Sequence, residues 1–225
     1  MKVLKFGGSS LADAPRYMRV MEISTATHQT DGAAVVLSAP KGVTNALSLL
    51  CEQAAAGEDF QPLFNKLNDT VTGIANNLNE ELDGFAHASV VEFINSHLSV
   101  LKQHLEGIKL LGVAPDNVAA GILSIGEYIS VTLFSAMLSA KGIANRVIDP
   151  VKYVLAEGDY LDSIADVSLS KARFSASLKL IGSIPCFASL RYSDANSRAS
   201  LRETSLALPK PISRRFPPRE ILKTH

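Results

Sequence analysis

The repeated order of strand, polar loop and helix near the start of the chain is the feature that most restricts its fold. Residues 3–6 and residues 33–37 are short apolar runs, and each ends in a loop rich in glycine and hydroxyl residues before a helical pattern begins. Two consecutive units of this kind predict parallel strands joined by crossover helices. The second run shows no polar–apolar alternation, which is typical of a strand covered on both faces. The sequence therefore predicts an α/β fold built on a parallel sheet.

The first loop has the composition of a phosphate site. Gly7 and Gly8 lack Cβ atoms, so they can adopt positive φ angles and let a ligand approach the backbone closely. Successive N–H groups in such a turn attract an anion, and Lys5 adds a positive charge at the end of the strand. Ser9 and Ser10 follow as candidate caps of the next helix. An ordinary strand–turn–helix with a flexible glycine pair explains the same pattern.

The second loop, residues 38–45, combines hydroxyl residues with proline, lysine and glycine. Ligands of parallel sheets gather at the carboxyl ends of the strands, where both loops would lie. One interpretation assigns Ser38 and Thr44 to a small polar substrate, with Lys41 nearby. The other is a turn followed by a helix that Thr44 or Asn45 caps.

Residues 57–111 are predicted to be mostly helical and to form an accessory hairpin packed on the sheet. One apolar stripe recurs there at steps of three and four residues: Val90, Ile94, Leu98, Leu101, Leu105 and Ile108. His87, His97 and His104 lie in the same region without a metal-binding spacing, so we expect surface or half-buried histidines and no metal site.

The helix predicted for residues 127–140 is apolar around much of its circumference and is expected to be central. Lys141 and Gly142 end it with a cation in the last turn and a glycine at the C′ position. Glu127 lies in the first turn, where the helix dipole favours an anion. Alternatively, Glu127 faces a ligand cleft and either holds an ammonium group or orients the neighbouring loops.

Composition limits the class of protein. Hydrophobic residues make up 47% and charged residues 20% of the 225 residues, as in soluble globular proteins. We expect no membrane span and no signal segment. The two cysteines fit no disulfide or metal framework, which favours a cytoplasmic location. Zero formal net charge argues against nucleic acid as a partner.

The net charge hides a change of composition near residue 174. Residues 1–173 carry 13 basic and 19 acidic residues, whereas residues 174–225 carry nine basic and three acidic ones and are rich in proline. We expect residues 1–173 to form the folded part. From Phe174 onward no helical or strand period is sustained, and order should be weak or absent past about residue 190.

Three motifs, taken together and in order, resemble one known family. They are Lys5-Phe6-Gly7-Gly8-Ser9-Ser10, the loop Val36-Leu37-Ser38-Ala39-Pro40-Lys41-Gly42-Val43-Thr44-Asn45, and Gly126-Glu127 before a long apolar helix. They resemble aspartokinases of the amino acid kinase family, particularly the kinase end of bifunctional aspartokinase/homoserine dehydrogenases. Residues 110–112, 147–151 and 155–163 are also similar to that subfamily. The resemblance covers about residues 1–173 and implies an amino acid kinase-like (carbamate kinase-like) parallel-sheet sandwich, incomplete, with a helical insertion and a poorly ordered C-terminal tail.

The resemblance also implies an activity: phosphorylation of the β-carboxylate of aspartate by Mg-ATP, in lysine, threonine and methionine biosynthesis. It assigns a role to seven residues: Lys5 as the catalytic cation at the phosphoryl group, Gly7, Gly8 and Ser9 along the phosphate site, Ser38 and Thr44 at the aspartate, and Glu127 in aspartate binding. Such a reaction needs alignment of two anions and electrostatic stabilisation more than covalent chemistry.

The sequence departs from the family after about residue 173. The Gly-rich catalytic loop and the Thr-Asp-Val-Asp-Gly-like nucleotide loop expected of an aspartokinase are not found, and Asp194 is not assigned a catalytic role. Regulatory ACT domains and the dehydrogenase portion are not found either. We therefore expect a truncated or frame-shifted aspartokinase whose activity is impaired by loss of the ATP-binding half.

Two other readings remain open. The chain can be a non-enzymatic fragment or association module that forms a homo-oligomer or binds full-length enzyme through the edge of its sheet. It can also be another amino acid kinase, acting on glutamate or uridylate. The loop at residues 38–45 and the Asp149-Pro150 stretch favour the aspartate branch.

Overall fold

A four-stranded parallel sheet forms the centre of the molecule in a computed structural model that describes residues 2–181 and 186–188. Its strands are β1 (Lys2–Phe6), β2 (Ala33–Leu37), β3 (Arg146–Ile148) and β6 (Cys186–Ala188). They lie in the order β1-β2-β6-β3, and every neighbouring pair is parallel. A separate antiparallel hairpin consists of β4 (Leu155–Asp159) and β5 (Asp162–Asp166). The predicted parallel α/β fold is confirmed.

Seven α-helices in the described part of the chain surround and extend this sheet. They are α1 (Ala14–Asp31), α2 (Val43–Ala55), α3 (Gln61–Glu81), α4 (His87–Leu111), α5 (Asp116–Leu123), α6 (Ile125–Ala140) and α7 (Val167–Ile181). Most residues of α6 are buried, including Phe134 and Met137, so the prediction of a central helix is confirmed. Gly142 has a φ of 68° just after its end, as the Lys141-Gly142 stop signal predicts.

The two faces of the sheet differ at β1. Leu4 and Phe6 pack against the core beside Val35 and Leu37 of β2, on the face that α1 and α6 contact. Residues alternate across a strand, so Val3 and Lys5 lie on the opposite face. Val3 is 49% exposed, and Lys5 is exposed too.

The helical insertion is built on the predicted stripe. All six stripe residues of α4 are buried, because apolar residues three and four positions apart share one face of a helix. The main contacts of α3 and α4 are with α1, α2 and α6. The prediction that this hairpin packs on the sheet is therefore wrong: its buried residues belong to the hydrophobic core, but they pack mainly on other helices. The three histidines are half-buried or exposed, as predicted.

Helix α1 begins differently from the prediction. The carboxylate of Asp13 accepts a hydrogen bond from the backbone N–H of Arg16 at 3.1 Å and caps the helix. Ser9 and Ser10 lie instead in a short 3-10 helix, Gly8–Leu11, without a side-chain cap. A stretch of chain with several hydroxyl and carboxylate residues offers several possible caps, and the tight turn before α1 selects Asp13.

Helix α2 also lacks the predicted cap. It begins at Val43 after Gly42, whose φ is 83°, so Thr44 and Asn45 lie inside its first turn. A left-handed residue at the helix start is compatible with glycine and strained for other residues.

The region after residue 173 contains regular structure that the sequence did not predict. Helix α7 continues across residue 174 to Ile181, and β6 lies between β2 and β3 in the middle of the sheet. The prediction that no helix or strand is sustained from Phe174 onward is therefore wrong. The expectation of weak order past residue 190 falls outside the described residues.

One stretch of the described chain, Asp116–Ala140, is long and apolar enough to cross a membrane by length and composition. The expectation from the sequence that no apolar run is long enough to span a bilayer is therefore wrong by the criteria of length and composition. Within the fold, 61% of its most apolar window is buried, and it is divided into α5 and α6. Its apolar character is that of a core helix.

Candidate active site

The two loops that follow β1 and β2 leave the sheet side by side. Phe6 pairs with Leu37 at the ends of the two parallel strands. The backbone N–H of Ser38 then donates a hydrogen bond to the carbonyl oxygen of Phe6 at 3.1 Å. The turn beginning at Gly7 and the loop beginning at Ser38 therefore start from the same edge, as expected for the carboxyl ends of parallel strands.

Gly8 is required for a close approach between these loops. A Cβ atom added to Gly8 would lie 2.8 Å from the carbonyl oxygen of Ala39, which is closer than van der Waals contact allows. Gly7 has a φ of −83°, and Gly8 is not among the glycines with positive φ. The pair therefore does not use the positive φ angles that are accessible to glycine. The space beside Gly7 is open, so a ligand can approach its backbone.

The first turn of α6 meets the same loop from another side. A Cβ atom on Gly126 would lie 2.5 Å from the Cβ of Ala39 and 3.0 Å from Cγ1 of Val43. Ala39 is 3% exposed and touches both glycines. Three segments far apart in sequence therefore converge on one alanine.

Glu127 follows directly after this contact. It is 5% exposed and lies in the first turn of α6, where the helix dipole favours an anion. A carboxylate with so little access to water gains strongly from a cationic partner, because burial of a charge is costly unless it is compensated. Such a group can hold an ammonium ion.

The remaining predicted site residues belong to the end of β1 and to the two loops, and they differ in exposure. Ser38 and Thr44 are half-buried, and Ser9 is exposed. Thr44 follows Val43, which lies against Gly126. Lys5 is exposed near the carboxyl end of β1, on the sheet face opposite the core. The site thus offers a cation, turn amides, hydroxyls and a buried carboxylate.

Sequence reasoning missed the two contacts that bring these segments together. Ala39 and the helical Gly126 carry no chemistry, so a search for reactive groups passes over them. The available signal was a glycine inside an apolar helix, which costs about 1 kcal/mol of helix stability relative to alanine.

Sequence reasoning also missed the support of α6 by α4. The His97 ring lies between Phe93 and Tyr128, at centroid distances of 4.1 and 5.8 Å. Tyr128 directly follows Glu127, so the middle of α4 supports the turn that carries the buried carboxylate.

Among the described residues, no group of three or more His, Cys, Asp and Glu side chains is arranged to hold a metal ion.

Comparison with known proteins assigns the chain to a family. The model of the amino acid kinase family matches residues 1–202. The bifunctional aspartokinase/homoserine dehydrogenase of Buchnera aphidicola is 38% identical over 172 residues, covering 76% of this chain and 21% of the relative. The Haemophilus influenzae protein of the same name is 35% identical over 176 residues, covering 78% and 22%. The chain spans about a fifth of the length of these curated relatives.

Solved structures show the same fold. E. coli aspartokinase III with lysine and aspartate (T-state) superimposes with a TM-score of 0.71 at 21% identity, covering 83% of this chain and 40% of that one. The R-state of the same enzyme, with aspartate and ADP, gives a TM-score of 0.70 at 23% identity and the same coverage. The amino acid kinase fold is confirmed, with part of the solved aspartokinase chains covered. The chain belongs to the amino acid kinase family and is similar to aspartokinases.

Proposed function

We propose that the chain is the substrate-side part of an aspartate kinase, which transfers a phosphoryl group from Mg-ATP to the β-carboxylate of aspartate in amino-acid biosynthesis. The observation that carries the proposal is the convergence of the glycine turn, the Ser38 loop and the first turn of α6, which also carries Glu127, at Ala39. The similarity to aspartokinases supports aspartate over glutamate or uridylate as the acceptor.

The proposed reaction is a single phosphoryl transfer from ATP to aspartate. A β-carboxylate oxygen of aspartate attacks the γ-phosphorus of ATP, and the bond from that phosphorus to the bridging oxygen breaks. ADP leaves with the electron pair, and aspartate becomes an acyl phosphate. The protein mainly has to align two anions and stabilise charge on the transferring group.

The proposed site residues form two groups, one that binds the phosphates of ATP and one that binds aspartate. Lys5 supplies positive charge to the phosphoryl group, and Gly7, Gly8 and Ser9 offer backbone N–H groups and a hydroxyl to the phosphates. The open space beside Gly7 fits a phosphate that approaches the backbone. Glu127 binds the ammonium group of aspartate, while Ser38 and Thr44 donate hydrogen bonds to its carboxylates.

We further propose that turnover by this chain alone is impaired. The residues described above hold phosphates and aspartate, whereas the sequence contains neither of the nucleotide loops that resemblance to aspartokinases leads us to expect. The proposed enzyme acts in the cytoplasm.

Calorimetric titration of the purified chain with aspartate, and with glutamate as the matched control, tests the substrate. We expect aspartate to bind at least about tenfold more tightly, because a buried site built for one side-chain length rejects another. Trapping the acyl phosphate with hydroxylamine then measures transfer from Mg-ATP. Absence of aspartate binding would contradict the assignment, and rapid turnover would contradict the impairment.

An association module is the second candidate function. In the described part of the sheet the outer strands are β1 and β3, and they carry Val3 and Val147, 49% and 47% exposed. Exposed apolar residues on outer strands favour pairing with another chain, here a second copy or a longer aspartokinase. Size-exclusion chromatography tests this candidate, and a stable monomer that ignores added full-length enzyme speaks against it.

A further inference from the structure

Ala39 lies between two glycines that come from the two sides of the proposed aspartate site. Gly8 belongs to the turn after β1, and Gly126 belongs to the first turn of α6. We propose that Ala39 is a positioning residue that sets the distance between the phosphate turn and Glu127. This inference deepens the proposed function and rests on it for the identity of the ligand.

The contact on the turn side involves the backbone of Ala39. A Cβ atom on Gly8 would lie 2.8 Å from the Ala39 carbonyl oxygen, with Cα and N of Lys41 next at 3.5 Å. All three atoms belong to the main chain. Because a side-chain substitution at residue 39 leaves the carbonyl in place, it cannot relieve this contact.

The contact on the helix side involves the side chain of Ala39. A Cβ atom on Gly126 would lie 2.5 Å from the Ala39 Cβ and 3.0 Å from Cγ1 of Val43. Removing the Ala39 methyl group therefore takes away the closer of the two obstacles. Ala39→Gly should therefore relieve the contact at Gly126 but not the contact at Gly8.

Backbone hydrogen bonds hold Ser38, the neighbour of Ala39, at the end of β1 and close the turn that contains Gly8. The Ser38 N–H donates to the Phe6 carbonyl at 3.1 Å, and the Ser10 N–H donates to the Gly7 carbonyl at 2.9 Å. A displacement of Ala39 therefore shifts Ser38 and presses on the turn that contains Gly8. Misplacement of a group by about 1 Å can lower a reaction rate as much as 10²-fold. We expect aspartate affinity to be similarly sensitive to the position of Ser38.

The test compares Gly126→Ala with Gly121→Ala. Both glycines lie in helices, so both substitutions change helix propensity alike, but the space around Gly121 is open within 4 Å. We expect Gly126→Ala to weaken aspartate binding at least about tenfold and to speed amide exchange at Ser38 and Ser10. Gly121→Ala should change neither measurement.

A rescue experiment separates positioning from general damage. Adding Ala39→Gly to Gly126→Ala should restore part of the aspartate affinity and of the Ser38 protection, since the closest clash disappears. Adding Ala39→Gly to Gly8→Ala should restore neither, since that clash is with a carbonyl. Rescue of both pairs, or of neither, would overturn the proposal.

The remaining outcomes are also decisive. If Gly126→Ala does not fold, Ala39→Gly alone introduces no clash and should still speed exchange at Ser38 and weaken aspartate binding; unchanged values would overturn the proposal. If the unmodified chain does not bind aspartate, the proposed function fails. Amide exchange at Ser38 and Ser10, which needs no ligand, then still decides the role of Ala39.

Discussion

Lys5 is the residue whose charge the proposed reaction needs most. It is exposed near the end of β1, so its substitution should leave the fold intact, with the free energy of unfolding within about 0.5 kcal/mol of the original. We expect Lys5→Met to lower hydroxylamine-trapped phosphoryl transfer about 10²-fold and to weaken ATP binding measured by calorimetry. Lys102→Met, at an exposed position of α4, is the matched control. Equal ATP affinity in both variants would exclude the proposed role.

Tyr17 joins α1 to α6 through a buried hydrogen bond. Its hydroxyl donates to Oγ of Ser130 at 2.9 Å, and both residues are fully buried. Burial raises the pKa of Tyr17 above its ordinary value, so the phenol stays protonated and able to donate. We expect Tyr17→Phe to lower the free energy of unfolding by about 1–3 kcal/mol, since it leaves the Ser130 hydroxyl buried without its donor.

The double variant Tyr17→Phe/Ser130→Ala is the informative comparison for this bond. Removing both partners leaves no unsatisfied polar group, so its cost should be smaller than the sum of the two single changes. Urea denaturation measures all four proteins. Additive losses would mean that the hydrogen bond contributes no coupling.

At the scale of single elements, α4 allows the sharpest stability test. Leu101 is fully buried on the stripe, whereas its neighbour Val100 is 47% exposed. Leu101→Ala should cost about 2–5 kcal/mol, because it removes apolar contacts and leaves a cavity. Val100→Ala should change the free energy of unfolding by no more than about 0.5 kcal/mol. Similar losses from the two substitutions would contradict the orientation of α4.

Elements with a strong local period could be predicted from the sequence. The apolar run at residues 33–37 is β2, the stripe of α4 is buried throughout, and Gly142 with a φ of 68° follows the end of α6 as the Lys141-Gly142 pair predicts. In each case one local sequence signal determines the element, and no neighbouring residue gives a conflicting signal. Helix starts were harder to predict. Several neighbouring side chains can accept hydrogen bonds from the same N–H groups, and tertiary packing selects among them.

The candidate site was predictable in its chemistry and not in its assembly. The lysine, glycines and hydroxyls stand out because of their residue types. The convergence of Gly8 and Gly126 on Ala39 depends on contacts between residues 31 and 87 positions apart in the printed sequence, which no local pattern encodes. The same limit explains why the three-residue strand β6 was missed.

At the scale of the whole molecule, the sheet is completed by a strand from late in the chain. β6 joins the β1-β2 pair to β3, and its pairings with Ala34, Val35 and Arg146–Ile148 are all long-range. Such pairings have to overcome the entropy of closing a long loop. The folded unit expected for residues 1–173 would lack this strand, so the boundary near residue 174, which rests on charge, stays a prediction that truncation can test.

We predict that a chain of residues 1–190 unfolds cooperatively, whereas chains of residues 1–181 and 1–173 unfold at lower temperature and aggregate. Without β6, β2 and β3 lose their shared neighbour, and each exposes an unpaired row of backbone N–H and C=O groups. The 1–181 chain keeps α7 and isolates the contribution of the strand, so it should resemble 1–173 more than 1–190. Differential scanning calorimetry and light scattering measure the three proteins. Equal transition temperatures for 1–173 and 1–190 would instead support the charge-based boundary and make β6 dispensable.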